Sequence, residues 1–203
     1  MNDNLYISEY ITEIQNIYAS GDAREHAYRP AFQKLVKALM PEVQVINEPA
    51  YTGGNAPDFL FKKAETPIAY AECKDVNVDI TDNKVQKQAK RYADAFGKIL
   101  LTNYLDIEIL NESGSIEIIS IGELNGRNIV AKEENFERFT NLLRDYITPT
   151  HRTIKSAKKL ACIMASKAKI LRDNARASLE ENESSDIYKQ FCAFQRVLIN
   201  DMR

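Results

Sequence analysis

Apolar and polar positions alternate along this chain with two different periods. Ile7, Ile11, Ile14 and Tyr18 recur at helical spacing and stop at Gly21, which predicts an amphipathic helix over 4–19 closed by a glycine. Asp22 with Glu25 three residues later reads as a capping-box start, and Phe32, Leu35, Val36 and Leu39 then give one apolar face up to Pro41. Pro30 interrupts that face and predicts a kink or a later helix start. From residue 43 the period shortens to that of strands: 43–46, 57–61 and 68–76, with a turn cluster at 51–55, together expected to form an antiparallel meander. A helix over 84–96 follows, with Val85, Ala89, Tyr92, Ala93 and Phe96 apolar and Gly97 at its end. Further strands are expected at 99–102, 107–110 and 116–121, and a last helix at 133–147. Helix, three strands, helix, then more strands is the order of an α/β domain built around a mixed sheet.

Beyond residue 150 the pattern changes. No strand period is present, and Ile154, Ala157, Ala161, Met164, Ala168, Leu171 and Ala175 step by threes and fours, as do Ile187, Phe191, Phe194 and Leu198. Such a seam expects a partner helix. Charge divides at the same place: residues 1–150 carry 16 Lys/Arg against 23 Asp/Glu, and residues 151–203 carry 11 against 6. Two units are therefore expected, 1–150 and an all-α helical segment over 151–203. The basic residues Lys158, Lys159, Lys167 and Lys169 are spread around the helix, so they read as a solvated face with incidental phosphate contact.

At 203 residues and 44% hydrophobic, the chain has the composition of a folded globular protein, not of a disordered or fibrous one. No apolar run reaches the ~20 residues a bilayer requires, and the N-terminus lacks a signal-peptide pattern, so a cytoplasmic location without membrane contact is expected. Three cysteines without CxxC spacing and only two histidines, His26 and His151, supply neither a disulfide scaffold nor a His-based site. Chemistry is left to carboxylates and lysines.

The pattern that carries it is Pro57-Asp58, thirteen intervening residues, then Glu72-Cys73-Lys74. On a strand, Glu72 and Lys74 leave the same face and Cys73 the other, where it reads as core. A hairpin of this length can set Asp58 beside Glu72. Two carboxylates in one small space repel, and a hard divalent cation resolves the repulsion. With a nearby ammonium, such a trio suits phosphodiester hydrolysis. The apolar frames PDFLF and IAYAECKD place these charges on core strands. Carboxylates gathered around one lysine also predict that at least one has a raised pKa, and that Asp58→Asn leaves the metal-free fold at least as stable.

These residues resemble the PD-(D/E)xK nuclease superfamily, here Pro57-Asp58 and Glu72-Cys73-Lys74. Gln88 and Tyr92 form a Q-x-x-x-Y pair similar to one found in several of its branches, with Lys84 on the same helix face, and Glu25 matches an acidic residue on the first core helix of many members. The resemblance implies a restriction-endonuclease-like mixed sheet flanked by helices. It further implies Asp58 and Glu72 as ligands of Mg²⁺, replaceable by Mn²⁺, Lys74 as the catalytic lysine, and Glu25 supporting the metal or water network. Gln88 would touch the DNA backbone or the lysine, and Gln88, Tyr92 and Lys84 would meet DNA.

The segments EHAYRPAFQKLV, LTNYLDIEIL and the run from Ile154 to Met202 narrow the resemblance. They are similar to the N-terminal part of single-chain type ISP and type IIG restriction-modification enzymes. There a nuclease and a helical coupler precede an adenine methyltransferase and a target-recognition domain. Double-stranded DNA and those two domains are the partners this implies, and the chain would be the opening part of a longer protein. Asn-Pro-Pro-aromatic, G-x-G and G-K-[S/T] motifs are absent, so no S-adenosylmethionine or ATP site is expected here. Two other readings compete: a free-standing repair or junction nuclease, and a DNA-docking module that has lost catalysis.

Overall fold

The computed structural model describes residues 3–49 and 56–148, together with eight single helical positions between 161 and 193. The expected turn at 51–55 and most of the helical segment over 151–203, including His151, lie outside the described residues; of the seam only Ala161, Met164 and Ala168 are described, each helical and exposed.

Helix α1 (Asp3–Ala19) buries Ile7, Tyr10, Ile11 and Ile14, and Gly21 just beyond it adopts φ 78°, a conformation glycine takes without steric penalty. Helix α2 (Arg29–Leu39) starts later than a capping box at Asp22 would set it. Pro30 sits in its first turn, where the missing N–H has no intrahelical acceptor anyway. Glu25–Tyr28 forms a separate 3-10 turn whose N-cap position is Arg24, with no side-chain cap, so the capping box does not form.

Six strands make one sheet in the order β1-β2-β3-β4-β5-β6: β1 (Gln44–Asn47), β2 (Phe59–Lys63), β3 (Thr66–Cys73), β4 (Lys98–Thr102), β5 (Asp106–Asn111) and β6 (Gly114–Ser120). β1, β2 and β3 form the antiparallel meander. β3 and β4 are parallel, joined through α3 (Asn83–Phe96), and β5 and β6 return antiparallel. This is a mixed α/β fold. Strand period two divides the sheet between two layers. Phe59, Phe61, Ala71, Cys73, Leu100, Ile107 and Ile109 join one core with α1, α2 and the last helix, α4 (Phe136–Ile147). Tyr70, Glu72 and Leu101 alternate to the other face, where Ala89, Tyr92, Ala93 and Phe96 of α3 bury and Phe96 stacks on Tyr70 at 4.1 Å.

A hairpin of β7 (Gly122–Asn125) and β8 (Asn128–Ala131) has no counterpart in the expected elements. Its strands are four residues each and mostly exposed, too short for an alternating pattern to stand out. Gln15 of α1 holds it, donating from Nε2 to Arg127 O at 2.9 Å. No helix among the described residues is long and apolar enough to cross a membrane.

Candidate active site at the end of β3

The register of the meander decides what meets at its end. Phe59 pairs with Ala71, so one further step sets Asp58 against Glu72. Asp58 Oδ2 accepts from Cys73 N at 2.7 Å, which ties the start of β2 to the end of β3 through a side chain. Lys74 continues the ladder with β4, its N donating to Thr102 O at 2.8 Å, and its side chain returns along the face Glu72 occupies. Lys74 Nζ reaches Glu72 Oε1 at 2.7 Å. Gln88, one turn into α3, donates from Nε2 to the same oxygen at 2.6 Å.

Glu72 is 4% exposed. Burial and then the negative charge of Asp58 push its carboxyl up from the usual 4.5 to about 7, although Lys74 pulls the other way. One of the gathered carboxyls is thus raised, as the sequence predicts, with burial the larger cause and the charge of Asp58 the second. The Lys74 ammonium is opposed by burial, yet the hydrogen bond and charge of Glu72, with the charges of Glu25 and Asp58, raise its proton affinity. It is a cation at neutral pH.

Glu25 comes from the 3-10 turn, not from an α-helix, and its carboxylate lies 3.5 Å from Arg29. Tyr92 is 5% exposed, stacked near Phe96, and its hydroxyl donates to Ala56 O at 3.3 Å; its ring belongs to the packing between α3 and the sheet. Lys84 is exposed at the start of α3. The structure thus brings Asp58, Glu72, Lys74 and Gln88 together, with Glu25 beside them on the same Arg29 nitrogen as Asp58, Tyr92 packed inside and Lys84 out in solvent.

Arg29 is the residue that sequence reasoning passed over. It is 2% exposed and spends both terminal nitrogens on acidic and amide oxygens: Nη2 on Asp58 Oδ1 and Glu25, Nη1 on Glu48 at 2.8 Å and on Asn47 at 3.4 Å. A signal was present, because Arg29 falls at helical spacing with Phe32 and Val36 on the apolar face of α2, where an arginine needs a buried partner. Its pairing weighs against the expectation for Asp58→Asn, which would remove one of the three carboxylates around a buried guanidinium.

The donor set suits a hard cation such as Mg²⁺: two carboxylates, one of them buried with its proton affinity raised. Among the described residues no group of three or more His, Cys, Asp and Glu side chains forms a self-contained metal cage. Magnesium sites commonly use one or two carboxylates and complete the shell with water and substrate phosphate, which is what Asp58 and Glu72 can offer.

No family model matches the chain, and no curated protein matches it. Among solved structures, a chain of the cryo-EM structure of the DrdV–DNA complex is similar, with a TM-score of 0.55 and 15% sequence identity over 71% of this chain and 97% of that one. At that identity the likeness is one of fold, and it joins this mixed sheet and its flanking helices to those of a protein solved on DNA.

Proposed function

We propose that this chain carries a Mg²⁺-dependent DNA endonuclease site of the PD-(D/E)xK type and acts as the nuclease part of a restriction-modification enzyme. The observation that supports this most is the convergence of Asp58, Glu72 and Lys74 at the end of β3, with the Glu72 carboxyl held near 7. Asp58 and Glu72 would hold the cation, and Mn²⁺ would substitute. When bound, it polarises the scissile phosphate and lowers the pKa of a water. Lys74 supplies a fixed positive charge beside the phosphoryl oxygens as negative charge develops there. Gln88 fixes the Glu72 carboxylate, and Lys84 offers an exposed cation to the DNA backbone on the same face of α3. The fold shared with a chain of a DNA complex supports DNA as the substrate, and the sequence resemblance makes it double-stranded. Methyltransferase and target-recognition partners rest on the sequence resemblance.

Supercoiled plasmid tests this. The 203-residue chain should nick it slowly and without sequence preference in Mg²⁺ or Mn²⁺, and not at all in EDTA. Lys74→Ala should cut at least about 100-fold more slowly while keeping its fold. Robust cutting by Lys74→Ala, or by wild type in EDTA, overturns the mechanism. One observation favours the docking module instead: both carboxylates already have a cationic partner within the chain, Arg29 for Asp58 and Lys74 for Glu72. A mobility shift on DNA with no cleavage in either metal would select that reading.

A further inference from the structure

We propose that Arg29 is the positioning residue of this site, holding the Asp58 carboxylate in the orientation in which it binds a divalent cation. The inference rests on Asp58 and Glu72 being the cation ligands. Asp58 stands outside the regular ladder, since β2 begins at Phe59, so strand geometry alone does not fix its side chain. Two contacts do: Cys73 N on Oδ2 and Arg29 Nη2 on Oδ1. With one donor on each oxygen, the carboxylate plane is set and each oxygen keeps a lone pair for a cation.

Arg29 also ties down what surrounds Asp58. It reaches Glu25 on the 3-10 turn, and Glu48 and Asn47 at the end of β1, while Glu48 N donates to Asp58 O at 2.9 Å. One guanidinium thereby links α2, the turn before it, the end of β1 and the start of β2. The Nε of Arg29 is buried with no hydrogen-bond partner among the described residues. Its planar fork is aimed so that the terminal nitrogens reach the oxygens at the expense of Nε, which marks the carboxylates as what sets its place. Lysine lacks that fork and presents a single point of charge, so charge and orientation can be separated by substitution.

The two possible roles predict opposite results. If Arg29 were only a counter-ion, removing its charge would leave Asp58 more negative, so Arg29→Gln would bind a cation more tightly and Arg29→Lys would bind it as wild type does. As a positioning residue, it makes both variants weaker. Calorimetric titration of the 203-residue chain with Mn²⁺ alone, without DNA, should show Kd raised about tenfold in Arg29→Lys and in Arg29→Gln. In an Asp58→Asn background the same changes should have no further effect, since the orientation they disturb is that of a ligand already removed. Near-UV circular dichroism confirms that each variant keeps its packing. Should Arg29→Gln fail to fold, the Arg29→Lys comparison in the two backgrounds still decides.

Tighter binding by Arg29→Gln, wild-type binding by Arg29→Lys, or an equal loss on the Asp58→Asn background overturns the proposal. If wild type binds no Mn²⁺, the proposed function fails first. Coupling between Arg29→Lys and Asp58→Asn in metal-free melting would then assign Arg29 a structural role only.

Discussion

At the scale of single residues, Glu72 makes the site sensitive to pH. Its carboxyl titrates near 7 in the folded chain and near 4.5 when exposed, so the folded state binds the proton more tightly. Stability should fall as pH rises from about 4.5 through about 7, by about 3 kcal/mol at most, and level off above that. Urea melts of wild type across pH 4.5–8 should show this decline, and Glu72→Gln should flatten it. A pH-independent wild-type midpoint would remove Glu72 as the titrating group. Asp58 enters the same balance with two signs: its charge raises the Glu72 pKa, yet it partners the buried Arg29. Asp58→Asn should therefore lower the Glu72 pKa, read by carboxyl NMR, and still destabilise the metal-free fold by about 1–3 kcal/mol. The motif shows the carboxylates; the second sign requires knowing that Arg29 reaches Asp58 across a sequence separation of 29.

At the scale of elements, α2 carries the core on one face and the site at its first turn. Phe32 meets the rings of Tyr10, Phe59 and Tyr104 at 5.7–6.5 Å, so Phe32→Ala should cost about 3–5 kcal/mol in a denaturant melt. Pro30→Ala, two residues earlier, should change stability by less than about 1 kcal/mol, because no helical hydrogen bond is regained at that position. Equal losses at the two positions would mean that Pro30 is set within the helix and not at its start. Most of the elements were legible from periodicity, because a helix or strand buried on one face repeats its apolar residues at the period of its geometry. The β7–β8 hairpin was not, since its residues are mostly exposed and it is held by Gln15 from α1, a contact no local pattern records.

For the molecule as a whole, the sheet brings β2 and β3 together at one end, and α2 and α3 close on that end from opposite faces, so that one cation could relieve charge supplied by several segments. Mg²⁺ binding the folded chain should raise its melting temperature, and more at pH 8 than at pH 6, because Glu72 must first lose its proton. An equal shift at both pH values would exclude Glu72 as a ligand. The sequence by itself determined the α/β order of elements, the core faces of the helices and strands, and the side-by-side placement of Glu72 and Lys74, all consequences of backbone period. Only the tertiary structure decided that Gln88 meets Glu72 and that Arg29 is buried against Asp58, Glu48 and Glu25. Those pairings depend on strand register and on how two helices pack against opposite faces of a sheet, and a long side chain's partner is settled only when burial leaves it no water to choose instead.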